Sequence, residues 1–353
     1  MNTELAQESR YAIDHAIAEF DHSEALRLVR DLNRANRTIY WTDLVLSATV
    51  GWLAFGLAVA LRPFSVPMLA AAAVSICCLY RGLCFIHEIS HQTARTLPGF
   101  ETGYNLLVGF PFLMPSFLYT GVHQSHHNIS IYGTDQDPEY LPFARSWLMT
   151  AGFAIQSFLI PFLLIFRFVV LTPIGLLIPR FQRWLVVHAS SFTMNVKYRR
   201  EAKPEMVSKV RTHSAVIFVG WAAFLASMLL GFVTWRALAL WVVVCGIAAF
   251  INALRALGAH AYESSGEPMD RMGQLQDSID TPGAFWTELW APVGLRYHAL
   301  HHYFPGIPYH NLPEAYRRLV GCLPIADEYK KMSSPSLPHS VRELLRKGLA
   351  VLQ

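Results

Sequence analysis

Long apolar stretches dominate the chain. Runs at 44–61, 64–80, 148–166, 214–235 and 237–251 are long enough, or nearly so, to cross a hydrocarbon layer of about 30 Å as helices. They mostly lack the polar stripe kept by helices of water-soluble domains, so lipid is their expected surrounding. The runs at 44–61 and 64–86 are joined by the short turn Arg62-Pro63, which predicts a transmembrane hairpin. Residues 214–235 and 236–257 predict a second hairpin with almost no outer loop.

Other segments read differently. The apolar stretch 104–121 is broken by Gly109, Pro111 and Pro115 and is expected to be re-entrant or interfacial. Residues 147–180 contain Pro161, Arg167, Pro173 and Pro179, which favour two surface-embedded helices over one kinked span. Charged and apolar residues alternate at helical spacing through 1–40, as in Glu24-Ala-Leu-Arg-Leu-Val-Arg30, predicting a helix on the membrane surface. Lys197, Arg199, Arg200, Lys203, Lys209 and Arg211 precede the second hairpin, and such a basic stretch is cytoplasmic by the positive-inside rule.

The expected architecture is therefore all-α and integral to the membrane. Four transmembrane helices form two hairpins, supplemented by interfacial helices and a cytoplasmic histidine-rich cap. Three units follow: an N-terminal helix (1–40), a membrane domain (41–320) and a cytoplasmic helical tail (321–353). Because some forty polar residues precede the first apolar run, that run does not read as a cleaved secretory signal.

Composition sharpens this picture. Of 353 residues, 53% are hydrophobic and only 15% charged, against roughly 25% charged in soluble domains. The five cysteines, Cys77, Cys78, Cys84, Cys245 and Cys322, have neither zinc-ribbon nor disulfide-framework spacing. A net charge of +4 without a long basic block argues against nucleic acid as a partner.

Eight of the fifteen histidines fall into three groups: His87 and His91 in H-E-I-S-H, His123, His126 and His127 in H-Q-S-H-H, and His298, His301 and His302 in H-A-L-H-H. On a helix, positions i, i+3 and i+4 share a face, so each group can present its imidazoles to one point. A helix begun at Phe64 has risen about 34 Å by His87 at 1.5 Å per residue, just past the bilayer. His260 stands in the same relation to the second hairpin, which puts nine histidines on one side. Nine imidazoles exceed what one metal needs and suit a pair, although imidazole alone does not name the metal.

The ordered H-x-x-x-H, H-x-x-H-H and H-x-x-H-H boxes, the first closing a membrane helix, resemble those of membrane fatty acid desaturases and hydroxylases over roughly residues 40–320. The stretch H-A-L-H-H-Y-F-P-G-I-P-Y-H-N-L, residues 298–312, and Gly258-Ala-His260 resemble the third box and extra histidine of bacterial members. The resemblance implies a bacterial inner-membrane enzyme whose nine histidines hold two non-haem irons and use O2 on a fatty acid or fatty acyl chain. It also implies an external electron donor such as ferredoxin or rubredoxin. One position departs: acyl-CoA desaturases place an asparagine one turn before the extra histidine, where this chain has Ala256, with Asn252 a turn further back.

Desaturation is the expected reaction, as the commonest in the family. Oxidative decarboxylation of a free fatty acid to a 1-alkene and hydroxylation are rivals, and a membrane metal-handling protein is the non-enzymatic one. His87-Glu88-Ile-Ser-His91 also matches the zinc-protease pattern H-E-x-x-H, but a protease leaves the other boxes unexplained. Glu88 and Asp137 are accordingly candidates for orienting ligand imidazoles, with Asp135 and Glu139 also near the second box. Asn252 is a candidate metal neighbour. Arg255, costly beside lipid, is expected to meet an acid or a substrate head group, and His310 is expected to make a structural hydrogen bond.

Overall fold

The computed structural model describes residues 22–322 and 332–351, the side chains of His22, Ser23 and Cys322 apart. Residues 1–21 of the expected surface helix, and 323–331 and 352–353 of the expected tail, lie outside the described residues. Helices account for the described architecture, and isolated bridges such as His260 with Ser278 take the place of strands.

The first hairpin comprises α2 (Arg37–Ala60) and α3 (Val66–His91), after a short α1 (His22–Val29). Both long helices are capped as their sequences allow: Asn36 accepts from the amides of Thr38 and Ile39, and Ser65 accepts from that of Met68, satisfying otherwise orphaned donors. Their outward faces carry Leu46, Leu53 and Leu69 at 54–69% exposure, which suits hydrocarbon. α8 (Pro204–Leu229) and α9 (Trp235–Leu257) form the second hairpin.

Between the hairpins, α4 (Phe100–Tyr104) runs into a π turn over 105–109, followed by a short 3-10 turn at 116–118. Trp52 of α2 and Trp241 of α9 donate to the carbonyls of Leu107 and Pro111, seating this irregular segment against both hairpins.

The segment expected as two surface helices is instead one helical run, α6 (Trp147–Leu177), of 31 residues. A 3-10 turn at 157–159 and a π turn at 166–171 place Pro161 and Pro173 at the starts of regular helical stretches, where their missing N–H groups cost nothing. Arg167 is buried beside them, donating to the Ala189 carbonyl, Thr172 and Ser190. Five helices are thus long and apolar enough to cross a membrane. Phe158 of α6 stacks on Phe250 of α9 at 4.9 Å, and Arg211 of α8 donates to the carbonyl of Leu176.

The remaining short helices are α5 (Val122–His126), α7 (Pro179–His188), α10 (Arg271–Asp277), α11 (His298–Tyr303), α12 (Leu312–Cys322) and α13 (Leu337–Ala350), and those that carry histidine boxes gather at the end of the first hairpin opposite its turn. Ala25 and Val29 of α1 are buried with Ala315 and Leu319 of α12 and Ala299 and Leu300 of α11, so α1 packs onto this cap.

Candidate metal centre

Each histidine group is positioned by local chemistry that can be traced. His87 and His91 lie on the last turn of α3. Gly121, at φ +86°, turns the chain into α5, a backbone setting that favours glycine. The Gln124 side chain then accepts from the Gly121 amide and donates to the Ser90 carbonyl, fastening the second box to the first. In α11 the histidines face inward while Ala299, Leu300 and Tyr303 pack in the cap core. Asp280 accepts from the amides of Ala299 and Leu300 at 2.8 and 3.2 Å and fixes that helix's start. His260 follows the end of α9, held by a pairing in which the Ala261 amide donates to the Asp277 carbonyl at 2.6 Å.

Two clusters result. His87, His91, His123 and His301 form one, and His126, His260, His298 and His302 the other, each with one nitrogen per ring within 4.8 Å of the rest. His127 lies between them, its Nε2 at 3.1 Å from that of His123 and its ring stacked on His302 at 4.3 Å. The three sequence boxes and His260 are therefore interleaved, each cluster drawing on separate stretches of chain.

The donor set suits cations. Nε2 atoms meet at 2.8 Å between His260 and His298, 3.2 Å between His298 and His302, and 3.0 Å between His91 and His301. One proton can bridge one pair of neutral imidazoles. It cannot satisfy four mutually close nitrogens, and both ring nitrogens of buried His87 are without a hydrogen-bond partner. Burial and neighbouring histidines hold His123, His127, His298, His301 and His302 well below the usual imidazole range, leaving lone pairs free to ligate.

In His123, His126 and His260, carboxylates and phenols occupy the opposite ring nitrogen. His126 Nδ1 meets Asp137 at 2.9 and 3.0 Å. Burial pushes His126 down, but Asp137, with Glu139 and Asp277 behind it, turns the net shift upward. His123 Nδ1 meets both Glu139 and the Tyr119 hydroxyl at 2.9 Å, and burial raises the Glu139 carboxyl to about 7. His260 Nδ1 meets the Tyr132 hydroxyl at 2.9 Å, with Asp277 at 3.4 Å. Such acceptors fix ring orientation and raise ligand basicity.

Asp137 thus meets the His126 ring directly, whereas Glu88 makes no hydrogen bond to His87. Its carboxylate lies 3.6 Å from His87 Nδ1 and accepts instead from the Tyr40 hydroxyl and the Tyr309 amide. Oε2 takes both of those bonds, and Oε1 is the oxygen that lies nearest His87 Nδ1. Asn252 and Arg255 stand beside the clusters, with Asn252 Oδ1 accepting from Arg255 Nε and Nη2 at 3.3 and 3.2 Å. His310 makes the structural bond expected of it, its Nε2 accepting from the Asn36 amide at 3.0 Å. Sequence reasoning missed Asp277, Tyr119 and Tyr132, and Asp280 as well.

A cavity of about 240 Å³ reaches the first cluster from the hairpin side, lined by His87, Tyr80, Cys84, Ala248, Asn252 and Arg255 among others. The fatty acid desaturase family profile matches residues 63–329. A ceramide hydroxylase from Caulobacter vibrioides (strain NA1000 / CB15N) is 38% identical over 326 residues, covering 92% of this chain and 93% of that protein.

Proposed function

The chain belongs to the fatty acid desaturase family, and on that premise we propose that it is a membrane-bound di-iron hydroxylase of an acyl lipid of the ceramide class. The two interleaved histidine clusters beside an apolar cavity carry this reading. His87, His91, His123, His127 and His301 would hold one iron, and His126, His260, His298 and His302 the other. When bound, the iron pair supplies reductive activation of O2: one oxygen atom enters a C–H bond, and the other leaves as water with two electrons and two protons.

The protein's own contribution is orientation and exclusion of water. Asp137, Glu139 and Asp277 keep the ring nitrogens facing the metals, and the cavity shields the reacting carbon. The same boxes can serve desaturation, the reaction expected from the motifs alone, and what favours hydroxylation is the likeness to the Caulobacter vibrioides protein. Electrons would come from a small external donor such as ferredoxin or rubredoxin.

Four spans, with the cap and both termini cytoplasmic, complete the proposal. The contacts of α6 support it. Phe250 precedes the inner end of α9, Leu257, by seven residues, and Arg211 follows the inner start of α8, Pro204, by seven. Phe158, eleven residues into α6, and Leu176, near its end, therefore both pack about 10 Å from the same face, as in a helix that dips into the membrane and returns.

Metal analysis of the purified protein and mass spectrometry of products from a supplied ceramide and a free fatty acid test the reading. About two irons per chain and a product heavier by one oxygen are expected. A product lighter by two hydrogens, or a 1-alkene shortened by one carbon, would sink the hydroxylase assignment, and bound zinc would sink the oxidase.

A further inference from the structure

The cavity beside His87 is graded along its length. On α9 its wall runs from Ala248 and Ala249 to Asn252, Arg255 and Ala256, and on α3 from Tyr80 through Leu83 and Cys84 to His87. At 1.5 Å per residue both walls span about 10–12 Å; Ala248, Ala249 and Leu83 line the deeper part, where the Tyr80 hydroxyl is spent on the Trp290 carbonyl, and Asn252, Arg255 and His87 line the inner part. The polar end is also the end at which the histidines stand. Arg255 and His87 both line this end of the cavity.

Glu139, the carboxylate that also lines this cavity, is engaged by the Tyr119 hydroxyl and by His123 Nδ1, and among the described residues no carboxylate forms an ion pair with Arg255 within 4.0 Å. Arg255 donates from Nε and Nη2 to Asn252 Oδ1, the one acceptor that the asparagine side chain offers. What the pair leaves facing the cavity are donors: further N–H groups of the guanidinium and the Asn252 amide nitrogen. A cation beside lipid without an anionic partner is costly. A ligand that brings an acceptor oxygen removes that cost, and a second donor would add to it.

We propose that Arg255 and Asn252 bind an acyl carbonyl oxygen at the inner end of this cavity, so that the carbon offered for oxidation is among the first few after the carbonyl. The remainder of the acyl chain extends past Cys84 and Ala248 towards the membrane. At about 240 Å³ the cavity falls below the usual 300–1,000 Å³ of a drug-sized pocket, enough for a lipid segment near its head group and not for a whole chain lying across the metal centre. The shared chemistry is a carbonyl oxygen, supplied by an N-acyl amide or by a free carboxylate. Arg255 and Asn252 are positioning residues. The inference deepens the hydroxylase reading and depends on it for the reaction, though not for the binding.

The test uses metal-free, full-length protein in phosphatidylcholine nanodiscs and two photoreactive probes, N-hexadecanoyl sphinganine and hexadecanoic acid, each with a diazirine close to the carbonyl. Labelling of the inner ends of α3 or α9 is expected, with the half-saturating concentration rising about tenfold or more in Arg255→Ala. Arg255→Lys should recover part of the loss, since it keeps charge and donors. If Arg255→Ala does not fold, Asn252→Ala decides, with a severalfold loss expected at an unchanged melting temperature. Dependence on Arg255 for one probe alone identifies the source of the carbonyl and upholds the anchor. Undiminished labelling in a folded Arg255→Ala or Asn252→Ala variant, or labels confined to the outer halves of the helices, overturns it. An alkene from the iron-loaded enzyme would refute hydroxylation while leaving the labelling result intact, so the two failures are distinguishable.

Discussion

At the scale of single residues, the centre depends on groups that touch no metal. Asp137 is fully buried and receives His126 Nδ1, the Gly133 amide on one oxygen and the Glu139 amide on the other. Asn at this position offers one carbonyl oxygen and no charge, so one backbone donor is stranded and His126 loses its ionic partner. Asp137→Asn should weaken metal retention by about ten- to a hundredfold, read as iron remaining after dialysis against a graded chelator; wild-type retention would refute the role. Asp137 and Glu139 were legible because they follow the second box closely. Asp277 and Tyr132 were not: they lie 17 residues beyond His260 and 128 before it, and only the fold brings them together. Glu88 was legible only as a neighbour of His87: one of its oxygens accepts from the Tyr40 hydroxyl and the other stays 3.6 Å from His87 Nδ1.

Helices and their junctions show where hydropathy suffices and where it fails. The two hairpins were legible from uniform apolar runs bounded by turn residues, and Phe64, with φ +59° and 87% exposure, marks the first outer turn. The course of α6 was not, because proline ends a helix by propensity yet is tolerated where π and 3-10 turns absorb it. The C-terminal α13 was legible only as a helix. Its packing turns on Gly348, where an added Cβ would meet the Trp147 amide nitrogen at 2.5 Å and the Ser146 carbonyl carbon at 2.9 Å. Backbone atoms cannot yield as a side-chain tip does, so Gly348→Ala should cost about 1–3 kcal/mol. A thermal midpoint lowered by several degrees in detergent is the expected result, and an unchanged midpoint would show that α13 docks more loosely. This helix walls a second cavity that reaches His260 and Asp277, so its displacement should also make iron easier to remove.

For the whole molecule, the question is how a polar centre is held against a membrane bundle. Ion pairing supplies one answer: Arg81 of α3 joins Asp43 of α2 to Glu288 of the cap, and the Tyr309 hydroxyl donates to Asp43 at 2.8 Å. The histidines supply another, because metal bound only by the folded centre stabilises it by mass action. Stripping iron should therefore lower the midpoint of wild type and leave that of His126→Ala, already poor in metal, nearly unmoved. Orientation provides the sharpest test at this scale. In intact inner-membrane vesicles of known sidedness, single cysteines would replace Phe64 and Phe232 at the outer turns, Lys197 in the basic loop, and Arg145 and Arg180 at the two ends of α6, all probed with a membrane-impermeant maleimide. Four spans require the Arg145, Arg180 and Lys197 positions to react from the cytoplasmic face and the Phe64 and Phe232 positions from the other. If the Arg145 and Arg180 positions react from opposite faces, α6 crosses the bilayer. The connection from α6 to α8 would then bring α8 in from the far side, and the two clusters, which draw on both hairpins, could not share one face.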